Sequence, residues 1–215
     1  MKKKNTWIKV VIAIIILELV VGGIIFAYRK LNAGVDNSIS TDDKEVVDLY
    51  KKIAYYDIES LDVMSPRIML YYAYKNSDIT ESINCEVVNT TDDTSGYSCD
   101  GIASFVSYDT LSSEVKDIYG PNVNVEAVSF EIDPNHYAFY DEEMAGYAIY
   151  TKDEEVSVDP VNLNLADATL DDDENIILTV EILNGIYGTV EDTYNFTFTK
   201  DGDNYYLTSK ELVTS

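Results

Sequence analysis

The chain has 215 residues, 39 Asp and Glu against 15 Lys and Arg, one His and two Cys, for a formal net charge of -24. That length suits one domain plus an appendage. The acidity argues against a nucleic-acid partner, which needs clustered Lys and Arg to meet phosphates, and the His and Cys counts exclude a multi-His or four-Cys metal centre.

The charge divides along the chain. Residues 1–30 hold six basic side chains (Lys2, Lys3, Lys4, Lys9, Arg29, Lys30) and one acidic, Glu18; the remainder holds nine basic against 38 acidic, a net of -29. Residues 1–6 are a basic end. Val10 to Ala27 then carries thirteen Ile, Leu, Val and Phe side chains and a single charge. With Trp7 and Tyr28 at its edges, residues 7–28 would reach about 33 Å as a helix, enough for a hydrocarbon core of about 30 Å. The apolar side chains favour insertion by about 4 to 8 kcal/mol, against about 3 for one central carboxylate. The segment is therefore predicted to be a transmembrane signal-anchor helix whose partner is the lipid bilayer. Four lysines and the free amine precede it and two basic residues follow. The positive-inside rule places the N-terminus in the cytoplasm and the acidic body outside, single-pass at the cell membrane.

The alternative is a signal peptide, cleaved to release a secreted domain. Leu31-Asn32-Ala33 is a poor small-x-small site for that, and the run exceeds the usual length of about 7–15 residues. Glu18 falls at mid-span, with Gly22 four residues on and Gly23-x-x-x-Ala27 beside it. Glu18, Gly22, Gly23 and Ala27 are the candidate surface for pairing with another membrane helix, or else Glu18 is a tolerated neutral carboxyl.

Residues 29–41 are a polar connector. Ser40-Thr41, with Asp42, Asp43 and Glu45 in the first turn, predicts a helix over 42–56 with Val46, Leu49, Tyr50 and Ile53 on one face. Ser65-Pro66 starts a second helix, apolar all round from Ile68 to Tyr74 and so buried. Residues 83–106 read as an extended pair around a polar turn at 89–96. A third helix is capped at Asp109 or Thr110 and stopped by Gly120-Pro121. From Asn122 onward the pattern is strand-like. Val123, Val125, Val128, Phe130 and Ile132 alternate with one slip. Tyr137/Phe139, Tyr147/Ile149, Leu163/Leu165, Ile177–Leu183 and Tyr194/Phe196/Phe198 mark further strands, and Lys200-Asp201-Gly202-Asp203-Asn204 turns the chain into Tyr205–Thr208. The expected fold class is α+β: a transmembrane helix, then three helices packed on one curved antiparallel β-sheet over 42–212.

This element order, with the closing stretch TFTKDGDNYYLTSKEL, resembles the NTF2-like superfamily, a cone-shaped cystatin-like α+β fold. The closing stretch is similar to the last hairpin of many membrane-anchored extracytoplasmic bacterial proteins with no assigned activity. The resemblance would cover about 42–210 and implies a pocket between helices and sheet, used for small molecules or dimerisation. No catalytic motif carries over from it.

Cys85 and Cys99 bracket a Thr/Asp/Gly turn. In an oxidising compartment they form a disulfide that closes 15 residues and contributes about 3 kcal/mol in the chain-entropy picture. A reducing one would leave two thiols. His136, in Asp133-Pro134-Asn135-His136-Tyr137, is read as structural, because no nucleophile motif accompanies it. Asp141-Glu142-Glu143, Asp153-Glu154-Glu155 and Asp171-Asp172-Asp173-Glu174 read as solvated hairpin tips; the last lacks the glycine and terminal Glu of a calcium loop. Tyr71, Tyr72, Tyr74, Tyr137, Tyr140, Tyr147, Tyr150, Tyr187, Tyr194, Tyr205 and Tyr206 suit either sheet packing or a binding face. No cofactor, metal or catalytic residue is expected. The sequence reads as a membrane-anchored extracytoplasmic binding or assembly module, with a membrane helix or an envelope protein as partner. The alternatives are a pocket domain that binds or converts a small molecule, and a cleaved, secreted domain.

Overall fold

The computed structural model describes residues 37–53, 60–79, 81–157 and 161–213. The segment 7–28, with Glu18, Gly22, Gly23 and Ala27, lies outside the described residues. Among the described residues no helix is long and apolar enough to cross a membrane.

Ser38–Ser215 form one compact unit. Helix α1 (Lys44–Ile53) opens on an Asp43 carboxylate that accepts the Glu45 N–H at 2.9 Å, and it buries Val46, Leu49 and Ile53 at helical spacing. Helix α2 (Pro66–Asn76) begins with Pro at its first turn and buries Met69 to Ala73 without a break. Helix α3 (Tyr108–Tyr119) is capped two or three residues earlier than the sequence suggests. Ser107 Oγ accepts the Thr110 N–H at 3.1 Å, and the end falls at Gly120, whose φ of 103 suits glycine alone.

The strands are β1 (Glu81–Asn84), β2 (Tyr97–Ser98), β3 (Ile102–Ser107), β4 (Phe130–Asp133), β5 (His136–Asp141), β6 (Gly146–Lys152), β7 (Val161–Leu170), β8 (Ile176–Asn184), β9 (Val190–Asp201) and β10 (Asn204–Leu212). They correct the single curved sheet. β1-β3-β6-β5-β4, with β2 also paired to β6, form a six-stranded antiparallel sheet, and β10-β9-β8-β7 form a separate four-stranded meander. The described chain is α+β in character but mostly strand, and its helices do not lie on one continuous sheet. The break falls at the acidic stretch after Lys152. Asp153-Glu154-Glu155 is the departure of the chain toward the second sheet and not a hairpin tip. Pairing of β3 with β6 then completes the first sheet from strands separated by helix α3.

The segment 121–129 is also not strand. Val123, Val125 and Val128 pack onto the core as side chains, and the Val125 carbonyl accepts the Tyr108 hydroxyl at 2.9 Å instead of a ladder bond. One core cluster joins all three helices to one face of each sheet: Val106, Phe130, Ala138 and Tyr147 from the first, and Ile176, Leu178, Val180, Ile182, Phe196 and Phe198 from the second. The helical layer thus packs on both sheets, and the faces turned away from it decide what the molecule presents to solvent.

Candidate functional site

On the outer face of the six-stranded sheet, register places Phe105, Ala148 and Phe139 in one row and Gly146 with Asp141 in the next. Phe105, Ala148, Phe139 and Asp141 are buried although they lie outside the main core. What covers them is the loop between Cys85 and Cys99, which the structure brings to disulfide distance with Cα atoms 6.2 Å apart. Tyr97, at the end of that loop, sets its ring 5.5 Å from Tyr137 and 5.9 Å from Phe139, and Phe139 meets Tyr150 at 5.1 Å. Asp141 fastens the loop from below. One carboxylate oxygen accepts the Asn89 N–H at 2.6 Å and the other accepts Met144 N–H at 3.0 Å. Gly146 is required for space here, since a Cβ on it would fall 2.2 Å from the Phe105 ring. Burial raises the pKa of Tyr97 and Tyr150, with nearby carboxylates adding to it, so their hydroxyls stay neutral. This face is a second, small core closed by the disulfide.

The four-stranded sheet is built differently. Its outer face shows Thr179 bonded to Asn195 at 2.9 Å, Asn164 to Glu181 at 2.9 Å, and Thr199 to Thr208 at 2.8 Å. The Asn164–Glu181 and Thr199–Thr208 pairs are exposed, and Thr179–Asn195 is half-buried, on the face that also carries half-buried Ile177 and Leu183. At one end of this sheet the β8–β9 turn is held by a single residue, Asn184. Its side-chain oxygen accepts the backbone N–H groups of Ile186 and Tyr187, both at 3.0 Å; its amide donates to Glu191 at 2.8 Å; its own carbonyl accepts Gly188 N–H at 2.7 Å. A turn so fully bonded displays two large apolar side chains to water, Ile186 at 62% and Tyr187 at 78% exposure. Val190 follows them, and Leu212 and Val213, paired beside Tyr194 and Thr193, end at the same edge. These five are half of the large apolar side chains that the described residues leave exposed. Scattered single apolar residues need no explanation, but a cluster on an ordered turn does.

The chain enters this sheet at the other end. Ser38 pairs with Thr169, and Ile39 N–H donates to the Ala168 carbonyl at 2.8 Å. The apolar turn is therefore at the far end of β8 from that point, about 25–30 Å away along the strand.

His136 lies on the opposite sheet. Its Nδ1 is 2.9 Å from both carboxylate oxygens of Asp133, and its side chain is half-exposed. Among the described residues no nucleophile bonds its other nitrogen, so the pair stops short of a catalytic triad. It opens on a shallow cleft of about 500 Å³ with Ser98, Ser104, Thr151, Lys152 and Asp153. A second cleft of about 530 Å³, between α1, α3 and the β9–β10 turn, is lined by Lys52, Lys116, Asp117, Tyr205 and Tyr206 among others. Between helices and sheets, space is filled by Tyr72, Tyr119, Phe130 and Tyr147. Burial pushes the Tyr119 and Tyr147 hydroxyls far up, which leaves them unable to act as bases at neutral pH. Among the described residues no group of three or more His, Cys, Asp or Glu is placed to hold a metal ion.

Of the residues that the sequence singles out, Cys85 and Cys99 meet, while the Glu18 group lies outside the described residues. Tyr137 and Tyr150 join the loop-covered cluster, and Tyr187 alone stands out in solvent. Two features escaped sequence reasoning. Asp141 reads as a solvated tip residue, yet it is fully buried. Ile186-Tyr187 sits between turn residues Asn184-Gly185 and Gly188, where polar side chains are usual, and that mismatch was the available signal. No known family matches the sequence, and neither a curated relative nor a solved structure matches the chain.

Proposed function

We propose that the protein is an extracytoplasmic binding or assembly module, tethered at the cell membrane through residues 7–28, that engages a partner protein with the apolar end of its four-stranded sheet. The observation that supports this is the Asn184-bonded turn, which holds Ile186 and Tyr187 outward instead of letting them fold back. Order at the tip lowers the conformational entropy lost on binding. Burying the two side chains in a partner's apolar groove contributes about 3 to 5 kcal/mol, on the order of a hundred-fold or more in affinity. Within the domain, the turn projects from the end of the sheet opposite the Ser38–Thr169 bridge. A domain released by cleavage would keep the same turn.

The test is the native size of the full chain after mild detergent extraction from its own membranes. Wild type should migrate in an assembly well above its own 24.2 kDa, and Ile186→Ser with Tyr187→Ser should run as the lone chain with an unchanged unfolding midpoint. A double variant that keeps its full assembly size would refute the proposal. A small-molecule pocket reading rests instead on the cleft beside Tyr205 and Tyr206, and it expects ligand-dependent changes there and none at the turn.

A further inference from the structure

Strands β1, β2, β4, β7 and β10 each pair on one side only, and β2 is just two residues long. β1 and β4 are four residues each, and Pro134 follows the second. β10 carries a register shift between Leu207 and Ser209 and points Lys210 inward, 4% exposed, with Nζ 4.0 Å from the Tyr194 ring. Short strands, bulges and inward charges are the devices by which sheets avoid unwanted pairing. β7 is different. Its end is occupied: Ser38–Ile39 bridge to it, and the Asp167 carboxylate takes the Ala168 N–H at 2.9 Å. Over Val161–Ala166 no described residue pairs with its free side, and the stretch contains no Pro, no Lys and no Arg. Val161, Leu163 and Leu165 lie half-buried toward the core, alternating with exposed Asn162 and Asn164. That is about 17 Å of regularly alternating edge over Val161–Leu165, ending at the register shift between Leu165 and Asp167.

Charge indicates what fits it. Residues 153–199 contain twelve Asp and Glu and no Lys or Arg at all. Asp167 and Glu181 stand on the outward side of β7 and β8, with the Asp171–Glu174 turn at one end and Glu191 and Asp192 at the other. A second copy of the chain would bring the same charge to the same edge, a repulsion that opposes self-pairing. We infer that the Val161–Ala166 edge of β7 accepts an extended basic peptide segment as an added strand, with apolar side chains against Val161, Leu163 and Leu165 and Lys or Arg on the alternate positions. Backbone bonding supplies the affinity, and the basic positions supply selectivity. The inference does not rest on the apolar turn.

Three ten-residue fluorescent peptides test it on the full chain: alternating Lys and Val, alternating Glu and Val, and the Lys/Val peptide N-methylated at every second residue. The expected result is binding of the first by anisotropy, loss of at least about tenfold for each of the others, and new hydrogen-exchange protection confined to β7. Asn162→Lys with Asn164→Lys, both exposed and on a strand face that tolerates lysine, should weaken the Lys/Val peptide by about tenfold or more without changing the fold. Equal binding of the N-methylated peptide would show mere charge attraction and overturn the inference. So would protection spread over 153–155 and 171–174, concentration-dependent dimerisation through β7 in place of peptide binding, or no binding by the Lys/Val peptide.

Discussion

The two sheets share an antiparallel design and turn one face each to the same helices, yet their other faces have opposite fates. The six-stranded sheet covers its outer face with a disulfide-closed loop and packs Phe105, Phe139 and Ala148 beneath it. The four-stranded sheet leaves Thr179, Asn195, Asn164 and Glu181 in contact with water. Antiparallel sheets tolerate either state, because alternation lets one face be apolar while the other is polar. The difference separates a face that adds to stability from one that stays accessible, where the proposed recognition would act. Covering a face adds buried area and ties down the chain. Leaving one bare keeps an edge, a surface and an end available to another molecule.

Substitutions that separate the two sheets should show this asymmetry. The largest effect is expected at Phe139, fully buried with three aromatic neighbours. Phe139→Ala should cost about 4 kcal/mol in urea unfolding, and a loss below about 1 would break the comparison, since the covered face would then be no core. Next, Cys85→Ser with Cys99→Ser should cost about 3 kcal/mol and speed hydrogen exchange through 88–98, leaving β8 and β9 protected. Uniform loss of protection in both sheets would mean that the loop supports the whole body. On the other sheet's outer face, Thr179→Ala with Asn195→Ala should cost less than about 1 kcal/mol, because removing both partners leaves no polar group unsatisfied.

The smallest effect concerns pH. A hydrogen bond and then the charge of Lys200 hold the exposed Glu174 carboxyl below its ordinary value. A lowered folded-state pKa means that the tie is present above the ordinary glutamate value and lost as pH falls through the lowered one. A carboxyl titration by NMR should show the Glu174 midpoint moving up in Lys200→Met. An unmoved midpoint would remove Lys200 as the cause.

Local rules made much of this fold legible. Ser65-Pro66 announced α2, the apolar run Ile177–Leu183 announced β8, and Asp201-Gly202 announced the last turn, because in each the signal lies within a few residues of the element. The division into two sheets was not legible. It depends on β3 pairing with β6 across an intervening helix, a choice made by tertiary contacts that no window of sequence contains. Val123, Val125 and Val128 show the same limit, since alternation reports which side chains are buried and not whether the backbone is paired. Asp141 shows it for chemistry: an acidic triplet looks alike whether its first member caps a loop or meets solvent. The disulfide was legible from two cysteines bracketing a polar turn, whereas the apolar turn shows only as Ile186-Tyr187 set among the turn residues Asn184, Gly185 and Gly188.

The central claim is that recognition belongs to the bare sheet and stability to the covered one. Photo-crosslinking in the cells that produce the protein tests it most directly, with a photoreactive side chain introduced in the full chain at Tyr187 or, for comparison, at exposed Asp93 in the disulfide loop. A discrete adduct from position 187 and none from position 93 is the predicted result. Adducts from 93 alone, or the same adduct from both positions, would contradict it.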